Sequence, residues 1–157
     1  MTGVGNINSA IIESLYGEAL LLADDVRATF DLAPAKETGL PRDHWRIALS
    51  AEGLKATTRV MHVLAWLLNQ RAYMKGDMSE FQLQRTGHLP SDRAPDPESL
   101  MMLEPMTREL IVDTTRLHTR VARLDAAWQA ERAEQNDSGT SAIHRLRERL
   151  GHAVARL

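Results

Sequence analysis

Three stretches of the chain carry apolar residues at helical spacing. In the first, Ile12, Leu15, Ala19, Leu22, Val26 and Phe30 recur at alternating three- and four-residue steps. That is the seam of a helix packed along another helix, and it predicts a helix over 9–31 capped by Asn8 or Ser9. In the last, Leu103, Met106, Leu110, Thr114, Leu117, Val121, Leu124 and Trp128 repeat in the same way. They predict a long helix from Glu104 or Pro105 to Ala133. The stretch between them, Thr57–Tyr73, TTRVMHVLAWLLNQRAY, is denser. Thr57, Met61, Leu64, Leu68 and Ala72 share one face of it, widened by Val60, Val63 and Leu67. A helix apolar over so much of its circumference has to be covered over most of it, so this is the central helix, with at least two others packed on it. Its polar residues form a narrow strip, Lys55, Arg59, His62, Trp66, Asn69 and Tyr73, with Gln70 beside them. Partner surfaces favour Trp, Tyr, Arg and His, which makes Arg59, His62, Trp66, Asn69, Gln70 and Tyr73 candidate partner or dimer contacts. The plainer reading is a helix edge where Trp66 fills a groove and the polar groups meet solvent.

Turn-forming residues divide the rest. Residues 1–8, with Gly3 and Gly5, read as a flexible N-terminal arm. Gly17, inside the first helix, marks either a close helix approach or a tolerated glycine. Pro34, Gly39 and Pro41 make residues 32–42 a connection. Asp43 opens the next helix, Gly53 marks a kink within it, and Lys75-Gly76 ends it. Asp77 or Ser79 caps a short helix ending near Thr86. Residues 87–97 are a mobile loop by composition, and Asp96-Pro97-Glu98 starts a further helical turn. Residues 134–141, EQNDSGTS, read as a linker. Beyond it, Ile143, Leu146, Leu150, Val154 and Leu157 share a face, with Arg145, Arg147, Arg149 and Arg156 against Glu148. Sixteen such residues are too few to hold a helix alone. This basic amphipathic segment docks on the bundle or folds on a partner, with Ile143, Arg145, Leu146, Arg147, Arg149 and Leu150 as the candidate tail contacts.

The fold class is therefore all-α: an antiparallel three-helix bundle over 9–133, a linker over 134–141, and a short C-terminal amphipathic helix over 142–157. A homodimer is expected, because one three-helix core does not easily cover the central helix all round.

Composition narrows the chemistry. A chain of 157 residues suits one core, and a net charge of −2 provides no global field toward nucleic acid or membrane. With no cysteine, disulfides, thiol catalysis and Cys-bound zinc are excluded, and a reducing cytoplasm fits. MTGVGNINSA lacks the basic region and apolar core of a secretion signal. The central apolar run is too polar-edged to span a membrane. No Glu has a His three places on, so the di-iron pattern is missing. His62 and His118 fall mid-helix, with His44 the only loose third ligand. No phosphate-binding loop, nucleophile elbow or H-E-x-x-H motif occurs. No catalytic activity, cofactor or metal is expected. Two alternatives stay open: a nucleic-acid-associated regulator using the tail arginines, and a metal-binding helical-bundle enzyme using the histidines.

TTRVMHVLAWLLNQRA, followed by Lys75-Gly76-Asp77-Met78-Ser79, resembles the core of the regulator of CtrA degradation (RcdA) family of alphaproteobacteria. Leu15-Tyr16-Gly17-Glu18-Ala19 and Phe30 resemble its first helix. The resemblance runs over 10–130, and its specific part is Arg59-Val60-Met61-His62 with Ala65-Trp66-Leu67-Leu68. It implies a dimeric three-helix bundle with a flexible C-terminal tail. It also implies a protease adaptor that delivers cargo, CtrA included, to the ClpXP protease primed by the response regulator CpdR, and so controls cell-cycle progression. The basic amphipathic tail departs from that pattern.

Overall fold

The structure is a computed structural model that describes the backbone of residues 3–31 and 42–154 and the side chains of 7–31 and 43–149. Among the described residues it is all-α, with five helices and no strand. They are α1 (Gly3–Asp31), α2 (Arg42–Lys75), α3 (Glu80–Thr86), α4 (Pro97–Met102) and α5 (Pro105–Val154). The expected 32–42 connection lies, up to residue 41, outside the described residues. The chain divides into two compact units, Met1–Val121 and Ala122–Leu157.

In the first unit the seam of α1 is buried as its spacing predicts: Ile12, Leu15, Ala19 and Val26 are all core residues. The helix starts at Gly3, so residues 3–8, expected as an arm, are its first turns. α2 is one helix of 34 residues. It runs through Gly53 without a break. An added Cβ there would stand 2.6 Å from Phe30 Cδ1, so the glycine lets the α1 aromatic ring lie against the α2 backbone. Gly17, by contrast, has nothing within 4 Å of an added Cβ, and no close approach explains it.

Local signals set the ends of the elements. Gly76, at φ 82°, closes α2. Its N–H bonds Tyr73 O at 3.0 Å and the Asp77 N–H bonds Ala72 O at 2.9 Å, which satisfies two carbonyls a helix C-terminus would otherwise leave open. Ser79 and Gln82 cap α3 reciprocally. Asp96 caps α4, with Pro97 as its first residue.

Pairwise contacts fix the directions. Glu13 of α1 meets Arg71 of α2, and Phe30 meets Gly53, so α1 and α2 are antiparallel. Glu18 of α1 meets Arg120, and Arg59 of α2 meets Thr114. Up to Val121, α5 therefore runs antiparallel to α1 but parallel to α2. An alternating up-down-up bundle is not what forms. The 76–104 connection is long enough to carry the chain back along α2 before α5 begins. A core cluster of Val26, Ala48, Ala56, Val60, Leu103 and Ile111, flanked by Phe30, Trp45, Leu100 and Leu110, closes that end of the unit. Met106, placed in the seam by spacing, is 83% exposed, and Ile111 takes the buried position.

The second unit, Ala122–Leu157, is helical to Val154. Residues 134–141, expected as a linker, lie inside α5. No proline interrupts them, and Ser138 and Thr140 return their hydroxyls to Glu134 O and Asn136 O at 2.8 and 2.9 Å, the back-bonding of Ser and Thr within a helix. Composition alone costs a helix little here: tenths of a kcal/mol per polar residue and about 1 kcal/mol for Gly139. No helix among the described residues is long and apolar enough to cross a membrane.

Candidate functional site

Burial along α2 inverts the expected orientation. Glu52, Ala56, Arg59, Val63, Trp66 and Gln70 follow one another at four- and three-residue steps, and all are buried. The strip assigned to a partner surface is thus largely the core face. Arg59, Trp66 and Gln70 are each 1% exposed. His62 and Asn69 are half-buried, and Tyr73 is exposed at 36%. The indole of Trp66 has more apolar area to hide than any neighbouring side chain, which favours turning this face inward. The cost is a buried guanidinium, offset only if its donors are satisfied.

Each of its three nitrogens finds a partner far along the chain. Arg59 Nε donates to Asp92 Oδ2 at 2.8 Å, Nη1 to Thr114 Oγ1 at 2.9 Å, and Nη2 to the Arg93 carbonyl at 2.9 Å. Thr114 passes its own hydroxyl hydrogen to Ile111 O at 2.7 Å. Two further groups secure the same segment. His118 Nε2 lies 3.0 Å from Pro90 O. Glu52 Oε1 accepts both Lys55 Nζ at 2.8 Å and the Asp96 N–H at 3.0 Å. Residues 87–96, expected as a mobile loop, are therefore a strap tied to α2 and α5 through the Pro90 and Arg93 carbonyls, the Asp92 carboxylate and the Asp96 N–H. The Asp96 carboxyl is held below its ordinary pKa, first by the Ser99 hydroxyl and then by the Ser99 N–H, with Lys55 adding a smaller pull.

Between α2 and the strap lies a groove of about 270 Å³ lined by Leu54, Lys55, Thr58, Arg59, His62, Ser91, Asp92 and Arg93. Of the residues picked from sequence, Arg59 and His62 meet here, while Asn69 reaches Thr86 O at 3.5 Å elsewhere on α2. Asp92, Arg93, Glu52 and Thr114 were not picked. Thr114 carried a signal, since a polar residue at a core position of a heptad needs a partner. Asp92 and Arg93 carried none beyond being charged residues in a loop. Among the described residues no three of His, Asp and Glu converge as metal ligands, and His118 is engaged with the Pro90 carbonyl rather than with His62.

The tail contacts lie in the second unit. Ile143 and Leu146 are 64% and 61% exposed, and Arg145, Arg147 and Arg149 are exposed beside them. The Leu150 and Val154 side chains lie outside the described ones.

A family model described as "Protein of unknown function (DUF1465)" matches residues 5–154. No curated protein and no solved structure matches the chain.

Proposed function

We propose that this chain, which belongs to the DUF1465 family, works as a non-catalytic protease adaptor. In this reading it is a cytoplasmic homodimer of three-helix bundles. It tethers protein cargo, such as the response regulator CtrA, to the ClpXP protease with a CpdR-like response regulator as primer, during cell-cycle control. The observation that carries the reading is the end of α5. Ile143 and Leu146 stand more than half exposed beside three exposed arginines. Apolar anchors within a basic helical surface suit an acidic, partly apolar protein surface. The resemblance in Arg59–Ala72 supports the reading through the core it builds and not through contact, because Arg59, Trp66 and Gln70 face inward.

Deleting residues 142–157 tests it. The expected result is a truncated protein with unchanged thermal unfolding that no longer stimulates degradation of a cargo by reconstituted protease with the priming regulator present. A far lower melting temperature would make the segment a structural element of the fold. Unchanged melting with unchanged degradation would remove the tail from delivery and leave the groove beside Arg59 as the next surface. The same arginines support a nucleic-acid-associated regulator as the second reading. Phosphate contacts would give retention on DNA with a steep salt dependence; elution independent of salt rejects it.

A further inference from the structure

The outward face of α2 carries a second apolar stripe. Ile47, Ala51, Leu54, Thr58, Met61, Ala65, Leu68 and Ala72 follow one another at steps of four and three residues, as in a heptad seam. At about 100° per residue this stripe points roughly 150° away from the buried Glu52–Gln70 face. Its large members are open: Ile47 is 65% exposed, Leu54 69%, Met61 63% and Leu68 47%. No charged residue falls within it, and it extends about 38 Å at 1.5 Å per residue. α2 thus has one heptad stripe for its own core and another left mostly open in the described chain, bordered at Leu54 and Thr58 by the groove beside the strap.

We infer that this stripe is the interface with a second copy of the chain, the two α2 helices packing antiparallel about a two-fold axis near residues 59 and 60. Large and small side chains alternate along the stripe, and antiparallel pairing about that axis makes the alternation self-complementary. Ile47 meets the partner's Ala72, Leu54 the partner's Ala65, Met61 the partner's Thr58, and Leu68 the partner's Ala51. Every bulky side chain then faces a small one, so the helices approach closely with their knobs filled. A two-fold interface requires one patch to complement itself, and a parallel pairing would instead set Leu against Leu and Ala against Ala. Charge agrees at the ends. The exposed Asp43 in the first turn of α2 and the exposed Lys75 in its last fall beside one another across the antiparallel pair.

This inference rests on the homodimer reading above, and the test separates the two. The full chain has no cysteine, so single cysteines can be placed freely. Ala51→Cys and Leu68→Cys chains are oxidised separately and as a mixture, and crosslinks are read on a non-reducing gel. In the antiparallel pair, residue 51 lies about 26 Å along the axis from the partner's residue 51, far beyond disulfide reach, but opposite residue 68. The expected result is crosslinking in the mixture alone. Met61→Lys, read by light scattering, is expected to weaken dimerisation about a hundredfold, the effect of a central contact residue, with melting of the monomer unchanged. A monomeric wild-type chain would overturn both the dimer and the stripe. A dimer insensitive to Met61→Lys and without mixed crosslinks would overturn the stripe and leave the dimer standing. Self-crosslinking of the Ala51→Cys chain would overturn the antiparallel arrangement.

Discussion

Replacing Arg59 with Met keeps most of the side chain's length and removes all of its donors. The structure sets the size of the effect. The Arg59 side chain is fully buried and its Asp92 partner 20% exposed. Breaking a buried pair by removing one member costs about 3–5 kcal/mol. Asp92 can recover water because it is partly open, and Thr114 keeps its bond to Ile111, so the lower end, about 3 kcal/mol, applies. In a chain of this size that lowers the melting temperature by about 6–12 °C. A surface contact residue would cost only about 0–1 kcal/mol, so the measurement separates the buried network from the partner strip. The assay is thermal and denaturant unfolding of Arg59→Met, Asp92→Ala and the double variant. The pair is expected to show a coupling of about 1–3 kcal/mol. Amide exchange across residues 90–96 should accelerate in Arg59→Met, because the strap loses two of its anchors. A change below about 0.5 kcal/mol, the size of an ordinary surface substitution, would refute the reasoning.

Further outcomes follow from single contacts. Gly53→Ala should destabilise by about 1–3 kcal/mol through overpacking against Phe30, whereas Gly17→Ala, in open space, should stabilise by up to about 1 kcal/mol; denaturant midpoints with equal signs for the two would contradict the packing described. The Asp96 carboxyl has a lowered pKa in the folded chain, so its contribution is present above the unfolded-state pKa and lost as pH falls through the folded one. Unfolding measured from neutral pH downward should show wild-type chain losing more stability than Asp96→Asn below the ordinary carboxylate range, and equal losses would remove Asp96 as the source.

Much of the fold was legible because it rests on neighbouring residues. Lys75-Gly76, Ser79 with Gln82, Asp96-Pro97 and Pro105 satisfy or remove backbone donors and acceptors within one turn, and each ends or starts an element where its chemistry says. The α1 seam was legible because Ile12, Leu15, Ala19 and Val26 repeat at three- and four-residue steps, although Ile7, Ile11, Leu20 and Leu21 stay exposed elsewhere on the helix. The orientation of α2 was not. It carries apolar residues on both faces, and which stripe turns inward depends on Trp66 and on partners for Arg59 that lie more than thirty residues away in sequence, at Asp92, Arg93 and Thr114. The strap over residues 87–96 has the composition of a loop, while its ties come from Glu52, Arg59 and His118. The helix through 134–141 is the opposite case: its composition is that of a linker, but weak local preferences do not amount to a break without a proline. Sequence by itself determined the helices and most of their ends, where the deciding interactions are local. Only the tertiary structure decided which side of α2 is the core, that α5 runs parallel to it up to Val121, and that a second heptad stripe faces outward, because a buried charge can choose a face only when the distant groups that satisfy it are in place.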